Sequence, residues 1–430
     1  MRLEIEGTTY DSAAEALYSA NHSAAIAYDG LTDKLSGFQA LGGDDTSSED
    51  FVREYDAAAR SAVDALRSLV DGLGNLGDVA AASVANHRQA NADSVYNRPR
   101  PSYDGGDTGK GPVQVASRSL PSSLGGDNAD LPDWWNHVVD HLQGWGWPSA
   151  NTDQLRSAAG AWRAAGGTVD GLTGRLDTAI GHLEAQRSPE IPVAVQIVGT
   201  TKTNITDLAD GLRAQGDACE DYATQVDQTR EAIKDLLKDL AIECGVTAGV
   251  SVALSFVTFG GAAAVGAGVI AARAIRYAHR IVTALKALKA ARAVLVLSKN
   301  APKLNRVRSA LEKLKSARAL VKMKTVATPK MTSPLKQLEA KYKHAKAMGV
   351  DLPRGRKGFD AFKKSLDDFL GNPATKSRTG EYRGTPCTLS FNPANGKCVI
   401  LSPDGKFVSA WKLSYDQLQH VIKTGRLGGG

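Results

Sequence analysis

Cysteine is scarce in this sequence, four in 430 residues, which excludes a small scaffold stapled by disulfides. Acidic side chains are scarce in one region only. Residues 271–430 carry 33 Lys and Arg but 9 Asp and Glu, a net charge of +24, whereas residues 1–270 carry 19 and 37, a net of −18. An even spread of charge is excluded, and the C-terminal part is expected to meet a polyanion. Long apolar runs are missing as well, with one exception. The stretch Cys244–Ala272 has 29 residues without a charge, enough to cross roughly 30 Å of hydrocarbon as a helix. Gly245, Gly249, Gly260, Gly261, Gly266 and Gly268 interrupt it, which leaves two readings. It is either a soluble Gly/Ala hairpin turning at Gly260-Gly261 or an element that enters a membrane conditionally. The opening Met1-Arg2-Leu3-Glu4-Ile5-Glu6-Gly7 holds charges where a secretory signal has an apolar segment, so no cleavable signal peptide is expected.

What is present is mostly helical period. The length allows two to four domains of about 100–200 residues. Ala13, Ala14, Leu17, Ala20, Ala24, Leu31 and Leu35 recur at helical spacing, as do Phe51, Ala58, Val63, Leu66 and Leu69 after a turn at Gly42-Gly43-Asp44-Asp45. Residues 1–95 therefore read as a helical hairpin, and the Pro- and Gly-rich residues 96–128 as a flexible linker. A second helical block, 129–240, holds Trp134, Trp135, Trp145, Trp147 and Trp162. Next come a Gly/Ala-rich hydrophobic hairpin (241–272) and a basic helical linker (273–335) with 16 basic residues and one acid, Glu312. Such a basic amphipathic stretch suits an anionic membrane or nucleic acid, or it is a solvated linker.

The piece Gly144-Trp145-Gly146-Trp147-Pro148, followed by Ala161-Trp162-Arg163 on a helix, resembles the WXG-like helical domains of actinobacterial type VII secretion substrates. The resemblance runs loosely over residues 1–240. It departs from the pattern in lacking a Trp-X-Gly turn, and Asp227 stands one place late after Tyr222 for the export tail. It implies secretion by a type VII-like route, with the secretion machinery or a helical chaperone as partner.

From residue 336 the pattern changes. On a helix over Leu335–Met348 at about 100° per residue, Leu335, Leu338, Tyr342 and Ala345 share a buried face, and Lys341, Lys343 and His344 lie on the opposite side. A second helix covers Phe359–Leu370. Strands follow at Glu381–Arg383, Cys387–Phe391, Cys398–Leu401 and Phe407–Trp411, with hairpin turns at Asn395-Gly396 and Asp404-Gly405. Ser414 caps a last helix reaching about Lys423. Ser409 and Trp411, two apart on a strand, face the same way. The expected fold is thus multidomain, with mainly α hairpins or bundles first. A C-terminal α+β domain over 336–430 follows, made of two helices, a small antiparallel sheet and a closing helix.

Lys341-Tyr342-Lys343-His344 with Ser409-Ala410-Trp411-Lys412, in the frame Phe391-Asn392-Pro393…Asp404-Gly405-Lys406-Phe407, resemble the colicin D toxin domain. The resemblance spans 336–430. It implies a metal-independent ribonuclease that cuts the anticodon loop of arginine tRNAs, with His344 catalytic and Lys341, Lys343, Ser409 and Trp411 in support. It also implies a cognate acidic immunity protein that covers the positive site. The chemistry is coherent without the family. Metal-free RNA cleavage needs a proton carrier, cations at the phosphate and a grip on the nucleotide. His344 can move the proton. Lys341 and Lys343 can lower its pKa and stabilise the transition state. The Ser409 hydroxyl can bind a phosphate, and Trp411 can stack on a base. Lys346, Arg354, Arg356, Lys357, Lys363, Lys364 and Lys412 are candidate RNA-binding residues in a domain of net charge +9.

Other constellations are weaker. His137 and His141 have zinc-helix spacing but neither the expected Glu nor a third ligand, so no metal or cofactor is expected. Centring the hairpin at Asn395-Gly396 sets Cys398 opposite Phe391, which parts it from Cys387 and makes both buried apolar residues. Cys219 and Cys244 stay undecided. A secreted antibacterial toxin follows, acting in the target cell's cytoplasm, with transient membrane contact through 241–272. The rival is a membrane-active or pore-forming effector working through 241–335, with the last domain as a basic binding module.

Overall fold

Alanine and leucine at helical spacing set the architecture of the N-terminal part. The computed structural model describes residues 7–93, 111–126, 135, 142–188, 190–243, 267–316, 326, 328–372, 374–393 and 395–428, divided into units Met1–Lys315 and Ser316–Gly430. The first unit holds α1 (Gly7–Ser36), α2 (Glu49–Asp93), α3 (Thr152–Asp170), α4 (Thr173–Glu184), α5 (Ile191–Glu243), α6 (Ala267–Lys289) and α7 (Arg292–Glu312).

The helices expected as separate blocks share one core. It runs from Ala13, Leu17 and Leu66 through Trp162, Leu208 and Tyr222 to Leu297 and Leu304. Two aromatic pairs join its halves. Phe51 of α2 stacks on Tyr222 of α5 with ring centroids 3.7 Å apart, and Trp162 Nε1 donates to the Tyr55 hydroxyl at 3.2 Å. A smaller core of Trp135, Trp147, Ile233, Leu237, Tyr277 and Ile281 joins the end of α5 to α6. The Arg230 guanidinium, nearly buried, donates to the carbonyls of Pro148 and Ala150 and fixes the loop before α3.

Part of the expected linker is ordered. Residues 111–126 lie extended along α1, where Asn21 exchanges two hydrogen bonds with Val113 and the Tyr28 hydroxyl donates to Ala116 O. Residues 96–110 lie outside the described residues. The expected basic linker is also corrected over 273–316. Leu288, Leu297, Leu304 and Leu311 sit in the main core, and Lys289, Lys303 and Arg308 pair with Glu49, Asp207 and Asp64. Hydrophobic burial and opposite charge both tie this stretch to the acidic helices. Residues 244–266 of the Gly/Ala stretch, Cys244 among them, lie outside the described residues, as do His137 and His141. Among the described residues no helix is long and apolar enough to cross a membrane.

The second unit is a sheet with helices on both faces. Its elements are α8 (Leu335–Lys341), α9 (Arg356–Leu370), β1 (Lys376–Tyr382), β2 (Thr385–Phe391), β3 (Lys397–Leu401), β4 (Phe407–Lys412), α10 (Tyr415–Thr424) and β5 (Arg426–Leu427). Strand order is β4-β3-β2-β1-β5, an antiparallel meander with β5 added parallel to β1. Val399, Leu401 and Ala410 pack with Leu338, Met348, Phe362 and Leu366 on one face. Cys398, Ile400, Leu389 and Phe391 pack with Leu418, Val421 and Ile422 on the other. Because both faces are covered, β3 is apolar at successive positions rather than alternating.

The register pairs Phe391 with Cys398, as the hairpin reading expects, and both Cys387 and Cys398 are free and buried. The capping box at Ser414 is present, with Gln417 as its partner. Three details differ from expectation. The first strand, expected at Glu381–Arg383, begins at Lys376 and ends at Tyr382, and Arg383 forms with Gly384 the two-residue turn between β1 and β2. The links at 392–396 and 402–406 are longer loops, because pairing stops at Phe391/Cys398 and Leu401/Phe407. The short β5 has too few residues to show a period.

Candidate active site

The edge strand β4 and the α8 segment are held together by backbone and amide bonds. Thr332 bridges to the start of β4, donating to Gly405 O at 2.9 Å and accepting from Phe407 N at 2.8 Å. Gln337 Nε2 then donates to Val408 O at 2.6 Å. These contacts lay α8 against the free edge of the sheet, which otherwise offers unpaired carbonyls.

The helix expected over 335–348 is corrected here. It stops at Lys341, and the chain tightens into two 3₁₀ turns, Tyr342–His344 and Lys346–Met348. Three residues per turn replace 3.6, so the side chains after Lys341 swing away from where an α-helix puts them. Leu335, expected to be buried, is 44% exposed, while Leu338 and Ala345 are buried as expected. The turns are fixed by tertiary partners. The Met348 carbonyl accepts from Ser365 Oγ at 2.8 Å and Lys397 Nζ at 3.2 Å. The Tyr342 hydroxyl donates to Leu352 O at 2.8 Å, and its ring meets Phe359 and Phe362 edge-on. Gly358 makes room for it, since a Cβ there would stand 2.3 Å from the Tyr342 hydroxyl.

This scaffold brings His344 to Trp411, with ring centroids 6.0 Å apart and planes at 37°. Both rings are half-buried. Burial lowers the His344 pKa below the ordinary value of 6.5, and the charges of Lys343 and then Lys341 lower it further. The imidazole is therefore neutral at pH 7 and able to accept a proton. Ser409 lies two residues before Trp411 on β4 and is 2% exposed, so its hydroxyl is not part of the open surface.

The seven candidate RNA-binding residues are distributed over several elements. Lys363 and Lys364 on α9 pair with Asp367 and Asp368 at 2.6 and 2.8 Å, and Lys346 lies 3.7 Å from Asp351. Arg354 donates to Glu339 O at 3.4 Å. Arg356, Lys357 and Lys412 occupy the first turn of α9 and the end of β4. Exposed pairs of this kind are worth at most about 1 kcal/mol, so a phosphate can replace the carboxylate. Among the described residues no carboxylate lies within ion-pair range of Lys341, Lys343 or Lys412. No three metal-ligating side chains gather among the described residues. Sequence reasoning missed Gln337, Tyr342 as a wedge, Gly358 and Tyr382. The last stands 5.8 Å from Trp411, and the Arg-Gly pair after it was the available turn signal.

Comparison with known proteins divides the chain in the same sense. The WXG100 like domain family matches residues 127–285, and the Colicin D family matches residues 337–421. The outer membrane channel protein CpnT of Mycobacterium tuberculosis is 33% identical over 241 residues, 55% of this chain and 27% of that protein. The chain thus spans about a quarter of that relative's length. Colicin-D of Escherichia coli is 32% identical over 82 residues, 19% of this chain and 12% of that protein. A solved Escherichia coli ribonuclease, complexed with its inhibitor protein, is 32% identical and covers 21% of this chain and 100% of its own, at a TM-score of 0.20.

Proposed function

With a WXG100-like helical domain ahead of a colicin D domain in one chain, we propose that this protein is a secreted, modular antibacterial toxin that cleaves tRNA. The C-terminal domain is a colicin D-like ribonuclease domain. Its substrate is the anticodon loop of tRNA, arginine tRNAs first, and cutting it halts translation. The observation that carries the reading is the half-buried His344 imidazole set beside the Trp411 indole, its pKa lowered by burial and by the flanking Lys343 and Lys341.

The proposed reaction is transesterification by the ribose 2′-OH. His344 removes the 2′-proton as the oxygen attacks the adjacent phosphorus. A 2′,3′-cyclic phosphate forms, the bond to the 5′-oxygen breaks, and that oxygen takes a proton from solvent. Lys341 and Lys343 stabilise charge on the non-bridging oxygens, a role in which preorganised cations are strongest. Trp411 stacks on a splayed loop base, and Ser409, buried two residues before it on β4, acts in support of the strand that presents the indole. Lys346, Arg354, Arg356, Lys357, Lys363, Lys364 and Lys412 attract the rest of the backbone. No step calls for a metal, so cleavage should persist in chelator.

The helical unit serves export by a type VII-like route, with the secretion machinery or a helical chaperone as partner, and 241–272 makes transient membrane contact. The producer needs an acidic immunity protein that covers the lysines. The test is sequencing of RNA ends from cells expressing the chain, beside a His344→Ala control. Breaks confined to one anticodon loop, absent in the control, are expected. Intact tRNA with folded protein would overturn the reading.

A further inference from the structure

The row of planar groups does not stop at Trp411. Tyr382, the last residue of β1, has its ring 5.8 Å from the indole at 53°, and the Arg383 guanidinium lies 5.3 Å over the Tyr382 ring. His344, Trp411, Tyr382 and Arg383 therefore follow one another from the edge of the sheet to the tip of the β1–β2 hairpin. Two strands, β3 and β2, separate β4 from β1. On this face those strands carry Cys387, Leu389, Phe391, Cys398 and Ile400, the apolar floor against which both rings pack.

The turn is built for this placement. Arg383 and Gly384 have φ of +54° and +77°, and their neighbours Tyr382 and Thr385 are paired, a two-residue turn that Asn-Gly or Gly-Gly makes with least strain. An arginine at its first position is strained by its Cβ. It sets the guanidinium on the tyrosine. The tail backs the turn from outside: Arg383 N donates to Leu427 O at 3.0 Å, and a Cβ on Gly428 would lie 3.3 Å from Arg383 Cγ. Tyr382 is half-buried, Arg383 is exposed, and among the described residues no carboxylate is in ion-pair range of Arg383.

Resting on the ribonuclease reading, we infer that Tyr382 and Arg383 form a second nucleobase subsite, which holds the loop base next to the one on Trp411. An aromatic ring with a guanidinium on it offers a π-face and a cation together, which suits an unstacked base and its phosphate. The subsite separates loop RNA from RNA too short to reach it.

The test uses the full chain and two synthetic substrates, an arginine tRNA anticodon stem-loop and a dinucleoside phosphate spanning only the scissile bond. Arg383→Asn, which suits the turn, and Tyr382→Leu are expected to raise KM for the stem-loop about tenfold, with kcat falling by less than about twofold. The loss on the dinucleoside phosphate is expected to be several-fold smaller. Tyr382→Phe keeps the ring and should restore KM. Thermal unfolding accompanies each variant, and if Tyr382→Leu is unfolded, Arg383→Asn decides. Unchanged stem-loop KM in the folded variants, or equal losses on both substrates, overturns the subsite alone. Wild-type protein that cuts neither RNA overturns the nuclease reading, and the subsite with it.

Discussion

At the scale of single residues, the His344 proton is set by burial first and by lysine charge second. That order has a measurable sign. Protonation blocks a general base, so kcat/KM should rise with pH through the free-enzyme pKa and level off above it. The acid limb is expected below pH 6.5 in the wild type. Removing one positive neighbour by Lys343→Gln makes protonation easier and moves the limb to higher pH. Because burial is the larger cause, the limb should stay below 6.5 even then. A pH–rate series on the two proteins checks both points, and a limb that moves down would contradict the assignment. The meeting of His344 with Trp411 was legible in the sequence because each falls in a short motif. Tyr382 and Arg383 were not, because their relation to Trp411 crosses two intervening strands.

At the scale of elements, the decisive feature is the change from α8 to 3₁₀ turns after Lys341. Nothing local dictates it. Lys341-Tyr342-Lys343-His344-Ala345 contains no Gly or Pro, and the tightening depends on Ser365 and Lys397 at the Met348 carbonyl and on Tyr342 reaching Leu352. Gly358 is the sensitive point. A methyl there stands 2.3 Å from the Tyr342 hydroxyl and 2.5 Å from the Pro353 carbonyl, and the backbone oxygen cannot rotate away. Gly358→Ala should cost about 1–3 kcal/mol, as overpacking does. It should also lower cleavage in the fraction that remains folded, because Tyr342 lies two residues before His344. Denaturant titration and rate measurement together check this. Stability unchanged with full activity would mean that the tyrosine is not a wedge. Strands β2, β3 and β4 were readable by contrast, since the turn residues Asn395-Gly396 set the Cys398-to-Phe391 pairing, whereas only the last two residues of β1 fell in the stretch expected at Glu381–Arg383. The two-residue β5 was beyond any periodic reading.

For the whole molecule, the boundary between units changes the meaning of the charge count. Cut at 270, the sequence reads −18 and +24; cut after Lys315, residues 1–315 carry −7 and residues 316–430 carry +13. The basic residues of α6 and α7 belong to the helical unit, where Lys289, Lys303, Arg308 and Arg273 face Glu49, Asp207, Asp64 and Glu243. Composition could not separate these cations from those of the nuclease domain, because only long-range packing tells which acids they meet. RNA affinity should therefore fall steeply with salt through the second unit alone. Lys289→Ala is expected to leave KM and its salt dependence as in the wild type, whereas Lys343→Gln should raise KM and flatten the salt slope. Kinetics over a salt series distinguish them, and a flattened slope for Lys289→Ala would place RNA on the helical unit.

The imidazole arrives early in the last unit and the indole near its end, on a strand that is fourth in chain order and outermost in the sheet. A chain still emerging from the ribosome, or drawn unfolded through a narrow conduit, holds the two rings far apart and is harmless to RNA. On the proposed function, self-poisoning would begin only when the sheet closes, which would leave a producer an interval, measured by folding time, in which to neutralise or dispatch the chain.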